Sequence, residues 1–143
     1  MSGPRLLCTF QVAELYLGLD IASVQEVLRG QSVTRLPHAA QSVRGIINLR
    51  GRIIPAIDLR RCLDLAAAPE GAARATLVVR APDAVSLLVD EVEDVVEIQE
   101  AALEPVPETM RPQMREVLRG VVQRADRLLL ELDLGRVLRT AYA

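Results

Sequence analysis

Val43-Arg44-Gly45-Ile46-Ile47-Asn48-Leu49-Arg50-Gly51-Arg52-Ile53-Ile54-Pro55-Ala56-Ile57-Asp58-Leu59-Arg60-Arg61 carries more structural information than any other part of the chain. It contains two short apolar runs, Ile46 to Leu49 and Ile53 to Ile57, separated by Arg50-Gly51-Arg52. Short runs rich in β-branched residues and bounded by glycine read as strands rather than helices. Gly51 can take the positive φ of a tight reversal, so the two runs read as a β-hairpin. Ile47 and Leu49 fall on one face and Ile46 on the other, a pattern of strands lying between two packed layers. Pro55 has no N–H to give to a ladder, which predicts an edge or a bulge there. Asp58 stands where a helix N-cap belongs, ahead of Leu59 to Leu63. Arg50 is a cation at the end of a nearly apolar segment, and must reach solvent or a carboxylate.

Outward from this hairpin the pattern is again β. Leu6 to Val12 and Glu14 to Leu19 read as strands, broken at Ala13-Glu14. Asp20 is predicted to cap a short helix with Ile21, Val24, Val27 and Leu28 on one side, ending at Gly30. That stripe reads as core packing or, alternatively, as the border of a partner groove. Ser32 to Leu36 reads as a strand closed by Pro37, and His38 to Ser42 as a small-residue connector. Ala66 to Arg74 has the composition of an exposed loop. Strands follow at Ala75 to Arg80, Val85 to Asp90 and Val92 to Ile98, the last interleaved with acidic residues that form a solvated face or an acidic docking strip. Glu104 to Glu108 is an extended linker, and Met110 to Met114 a helical turn interrupted by Pro112. Glu116 to Gln123 reads as a strand in which Gly120 marks a bulge or close backbone approach. Arg127 to Leu132 is the last strand, and Asp133 caps a C-terminal helix with Val137 and Leu138 on its apolar side. Short strands at even spacing with glycine and proline at the turns predict a barrel or sandwich.

Composition narrows the function. The 143 residues suffice for one domain or two small subdomains sharing a core. Hydrophobic residues make up 50% and aromatic residues 2%, so the core is aliphatic. The near absence of aromatic platforms and a net charge of −2 argue against single-stranded nucleic acid. Cys8 and Cys62 have no paired spacing and read as buried thiols. His38 is the lone histidine, so a zinc site has no ligand set. No nucleophile elbow, phosphate loop or dinucleotide fingerprint is present, and the expectation is no catalytic residue, no metal and no cofactor. Neither a signal-peptide core nor a membrane span is visible, which predicts a cytoplasmic protein.

The chain resembles the CheW family of bacterial chemotaxis adaptors and the related regulatory domain of the CheA kinase. The resemblance runs through Phe10, Leu19-Asp20-Ile21, Val24, Glu26-Val27 and Val33 to Pro37. Its most specific part is Gly45 to Gly51 with Ile54-Pro55 and Ile57 to Arg60; Leu88 to Val92, Pro105 to Pro107, Arg119 to Val121 and Leu129 to Leu134 complete it. Ala40 departs from the proline many members carry. The resemblance implies an all-β fold with short helices: two intertwined five-stranded SH3-like barrels with a third core between them. It implies one domain over residues 6–140, with subdomains roughly at 13–63 and 64–132 and terminal segments packing across. It implies an adaptor, not an enzyme, bridging a chemoreceptor's cytoplasmic coiled-coil tip to the regulatory domain of a CheA-type histidine kinase. By position, Val24, Glu26, Val27 and Arg50 fall on the receptor face, and Val33, Leu36 and Gly45 near the kinase face. A single-partner paralogue acting as competitor or insulator is the first alternative, and a small enzyme on a barrel scaffold the second. The kinase itself does not fit, because its catalytic and phosphotransfer domains need more chain. Two structural expectations follow: Glu26 meets Arg50, and Val24 or Val27 stays partly exposed beside a shallow apolar groove.

Overall fold

In the computed structural model, which describes residues 3–37, 42–69, 74–80 and 82–142, the strands run β1 (Pro4–Val12), β2 (Leu15–Asp20), β3 (Val24–Arg29), β4 (Thr34–Arg35), β5 (Val43–Leu49) and β6 (Arg52–Asp58). Helix α1 (Leu59–Cys62) precedes β7 (Ala75–Arg80), β8 (Ala84–Val89) and β9 (Glu91–Gln99). Then come α2 (Pro112–Val117), β10 (Leu118–Gln123), β11 (Leu128–Leu132) and α3 (Leu134–Ala141). They form two sheets, one ordered β10-β11-β2-β1-β9 and the other β3-β7-β8-β6-β5-β4. The middle of the chain builds the second sheet, and the two ends of the chain build the first. No helix among the described residues is long and apolar enough to cross a membrane.

Alternation along the central strands explains their unbroken aliphatic runs. In β8, Val85, Leu87 and Val89 face the largest core, while Ala84 and Leu88 face a second. In β1, Cys8, Phe10 and Val12 face the largest core, and Leu7 a third. The largest core therefore lies between the sheets, and each sheet curls around a small core of its own, as the resemblance implies. Curling brings edge strands together: Ile98 of β9 and Val122 of β10 share the third core. Leu28 of β3 and Val33 beside β4 both pack on the second. Cys8 and Cys62 are buried and form no disulfide, and burial pushes both thiols up.

Buried polar groups sit where the ladders break. Thr9 lies at the β1–β9 register shift and donates to the Asp94 carbonyl at 2.5 Å. Ser86 donates to the Pro55 carbonyl at 2.7 Å. That bond bears on Pro55, which lies in an interior strand and not at an edge. Of the two expectations the bulge is the nearer, since the β5–β6 register shifts between Val43 and Gly45, next to the Ile46–Pro55 pair. The parallel ladder from β6 to β8 begins only at Ala56, so Pro55 deprives it of nothing.

Several boundaries differ from the sequence reading. Ser32 to Leu36 contributes only the two-residue β4. This short strand makes the second sheet six-stranded instead of five. Pro112 starts α2 at its first position, where a missing N–H costs nothing, instead of interrupting a turn. Glu116 and Val117 accordingly belong to that helix. The caps at Asp58 and Asp133 form as expected, accepting from Arg60 N at 3.0 Å and Arg136 N at 3.1 Å. Gly120 is the predicted close approach, since a Cβ there would sit 2.7 Å from Leu103 Cγ and 2.8 Å from the Glu104 carbonyl. The His38 connector and the tip of the Ala66 to Arg74 loop lie outside the described residues.

Two ionic ties join chain ends and sheets. Arg5 bonds the buried Glu131 through both terminal nitrogens, at 2.6 and 2.9 Å, and also reaches Glu100 and Asp20. Asp90, between β8 and β9, accepts from Ala13 N of the β1–β2 turn at 2.6 Å and from Arg60 of α1 at 2.6 and 3.1 Å. Burial raises the Asp90 pKa, but the Arg60 and Ala13 donors and the Arg60 and Arg74 charges outweigh it, leaving the carboxyl below its usual range.

A carboxyl lowered in the folded state stabilises above its unfolded pKa of about 3.9, and that stability disappears as pH falls through the folded value. Asp90→Asn is therefore expected to cost about 1–2 kcal/mol near neutral pH. The gap to the wild type should close on acidification below pH of about 4, as read by thermal melts across pH. Gly45→Ala is expected to cost about 1–3 kcal/mol, because the new Cβ would lie 2.0 Å from the backbone oxygen of Thr34. Urea unfolding of the variant measures it.

Candidate functional site

The segment expected to be a helix is a 3-10 turn, Ile21–Ser23, followed by strand β3. Asp20 does cap the turn, accepting from Ala22 N at 2.9 Å. Beyond it the β-branched Val24 and Val27 pair with β7. The register shifts between Val24 and Glu26, leaving Gln25 as an extra residue. Val24 pairs with Val79, Glu26 with Val78 and Val27 with Leu77. Residues paired directly across a ladder share a face, and Val79 and Leu77 both face the core between the sheets. Val24 and Val27 thus lie on one face three residues apart, which mimics helical spacing. The bulge, not a helix, produces the stripe. Val24 is half-buried against that core, whereas Val27 stays 39% exposed. Gly30 takes a φ of +70°, ending a strand and not a helix.

The β5–β6 hairpin presents Arg50. Both turn residues have positive φ, 52° at Arg50 and 82° at Gly51, so the reversal is a two-residue type I′ turn between paired Leu49 and Arg52. Asn48 Oδ1 accepts from Gly51 N at 3.0 Å and holds it. Arg50 then reaches across to β3, its Nη1 and Nη2 donating to Glu26 Oε1 and Oε2 at 2.7 and 2.6 Å. The Glu26–Arg50 expectation is met as a two-pronged pair. Hydrogen bonds from Arg50 hold the Glu26 carboxyl below its usual range and raise Arg50 in turn. The Arg50 side chain remains 68% exposed and Glu26 21%. Solvent screening at such a pair leaves little net stability, so its effect is geometric. In sheet order β7, β8 and β6 separate β3 from β5, and the pair bridges that gap across the open end of the curled sheet.

The residues matched to the kinase face are spread over one sheet edge. Val33 is half-buried on the second core, and Leu36 is 43% exposed. Gly45 is buried opposite Arg35, where it lets β4 lie against β5. Leu36 alone of the three presents a side chain freely to solvent. An apolar outer face of the hairpin escaped the sequence reading: Ile46 pairs with Pro55 and Asn48 with Ile53, and Ile53 is 60% exposed. Its signal was present, because strict alternation from the inward Ile47, Leu49 and Ile54 forces Ile53 outward. No group of acidic, histidine or cysteine side chains among the described residues could hold a metal ion.

Comparisons with known proteins agree with this geometry. Residues 6–141 match the family model for the CheW-like domain. The chain is 32% identical over 135 residues to the chemotaxis protein CheW of Rhizobium meliloti, covering 92% of this chain and 87% of that one. It is 30% identical over 131 residues to the chemotaxis protein CheW of Thermotoga maritima, covering 91% and 85%. The crystal structure of the scaffolding protein TtCheW from Thermoanaerobacter tengcongensis superposes with a TM-score of 0.81 at 30% identity, over 91% of this chain and 89% of that one. With a match across nearly its whole length in sequence and in fold, the chain belongs to the CheW-like domain family.

Proposed function

We propose that this protein is a non-enzymatic chemotaxis adaptor that works in the cytoplasm and couples the coiled-coil tips of chemoreceptors to a CheA-type histidine kinase. The observation that carries the reading is the CheW-like match over residues 6–141. The receptor contact is the β3 face with Val24 and Val27, bordered by the Glu26–Arg50 pair. An exposed valine beside an aliphatic core edge suits the apolar stripe of a partner helix. The kinase contact is the β4–β5 edge, where Leu36 offers the side chain and Val33 and Gly45 hold the strand in place.

Pull-down of the protein with a receptor cytoplasmic fragment and with a kinase regulatory domain tests the reading, and failure to capture either would overturn it. Capture of one partner only would favour the competitor role. Val27→Asp is expected to fold normally and to weaken receptor binding tenfold or more, because it puts an unpaired charge at the contact. Val24→Asp is expected to lower the melting temperature as well, since Val24 packs on the central core. A second probe separates Arg50's charge from its backbone. Arg50→Gly suits the positive φ of the turn and should melt no lower than the wild type, while losing kinase control in a reconstituted receptor–kinase assay.

A further inference from the structure

At the far end of β3 from the Arg50 turn a cleft of about 630 Å³ opens between the sheets. Gln11, Arg29, Arg74, Asp90, Glu91 and Val92 are among its lining residues. Its charges are unevenly committed. Asp90 is taken up by Arg60 and Ala13 N. Asp58 accepts from Arg60 N and from Arg74 Nη2 at 3.1 Å, with Arg44 at 3.8 Å. Burial, and then repulsion from Arg35, Arg61 and Arg74, hold the Arg44 guanidinium below its ordinary pKa despite the Asp58 charge. Two donors lack an acceptor. Arg29 is exposed and has no partner among the described residues. Arg74 Nε is buried and meets no acceptor. A buried N–H without an acceptor is costly, and an incoming oxygen would relieve it.

We propose that this cleft is an anion subsite that takes a carboxylate side chain of the helical partner lying along Val24 and Val27. The inference rests on the receptor-face reading above and adds what the partner must carry. Arg29 pairs with Ala75 and Val27 with Leu77, so both point to the same face of β3. Two strand residues span about 6.8 Å and one helical turn about 5.4 Å, so a helix seating an apolar residue at Val27 brings the residue three or four positions away over Arg29. A carboxylate offers a planar pair of oxygens to the guanidinium fork and to Arg74 Nε. Asp90 and Glu91 line the same cleft and repel a second negative charge, which favours a carboxylate over a phosphate dianion. The subsite makes the groove directional, apolar at Val24 and Val27 with the uncommitted Arg29 guanidinium beyond.

Binding of a chemoreceptor cytoplasmic tip fragment to the full chain, measured by calorimetry at low and high salt, tests this. Arg29→Glu is expected to weaken binding at least tenfold at low salt with an unchanged melting temperature. Replacing one acidic residue of the fragment, three or four positions from its apolar anchor, by arginine should restore much of the loss. Glu91→Gln should tighten binding by removing the competing charge. If Arg29→Glu binds as the wild type while Val27→Asp does not, the subsite is overturned and the receptor face stands. If the wild type binds no fragment, both fall. If inorganic phosphate displaces the fragment at fixed ionic strength, the carboxylate assignment is overturned in favour of phosphate.

Discussion

Two small sheets share one aliphatic core, and neither could bury enough surface alone. The core of the first sheet rests on Leu7, Tyr16, Ile98, Val122 and Leu129, too few side chains to order a barrel against its conformational entropy. The larger core between the sheets supplies the rest, and it requires β1, β7 and β8 to be apolar on both faces. This explains an aromatic content of 2% beside a hydrophobic content of 50%. Alternating valine, leucine and alanine fit two facing layers at sheet spacing, where wide rings would force the sheets apart. Phe10, the only phenylalanine, is fully buried in that core.

Polar groups then mark where the shared core ends. Glu131 is 2% exposed and would be prohibitive unpaired, yet Arg5 bonds both its oxygens and ties the first strand to the last. Asp90 does the same farther along, one oxygen reaching the β1–β2 turn and both reaching Arg60 of α1. The Glu26–Arg50 pair has equally good geometry but lies in solvent. Its geometry resembles that of the buried ties, while its worth to the fold is small. A well-made ion pair at a place where stability gains little from it is better understood as shaping a surface than as holding a core.

Much of this was legible in the sequence. The hairpin around Gly51, the caps at Asp58 and Asp133, the close approach at Gly120 and most strands follow from short-range rules. The Glu26–Arg50 contact came from Arg50's place at the end of an apolar run together with the family match. What could not be read depends on pairing partners distant in sequence. Val24 and Val27 at a spacing of three satisfy a helix template, and only the β7 register shows that a bulge at Gln25 produces the same stripe on a strand. Pro55 leaves an edge and a bulge equally open until Ser86, thirty-one residues away, is seen to use its carbonyl inside the sheet. The cleft was invisible for the same reason: Arg29 at the end of β3, Arg74 ahead of β7 and Asp90 between β8 and β9 meet only in the fold.

The bulge also explains why the proposed contact lies on β3. An edge strand exposes unpaired backbone and invites unwanted pairing. Here one extra residue twists the edge, and Glu26 and Arg29 put charge along it, so a neighbouring strand finds no regular ladder. The same residue re-aims Val24 onto the face it shares with Val27. With Gln25 paired in strict alternation, Val24 would instead turn to the opposite face, and the apolar stripe would not exist. The local irregularity that keeps the edge from aggregating thus creates the surface on which a helix can lie. Removing Gln25 would restore regular pairing and with it the unprotected edge. Val24 and Val27, then two residues apart, would stay on one face, so the deletion is expected to cost protection against edge pairing and to spare the apolar stripe.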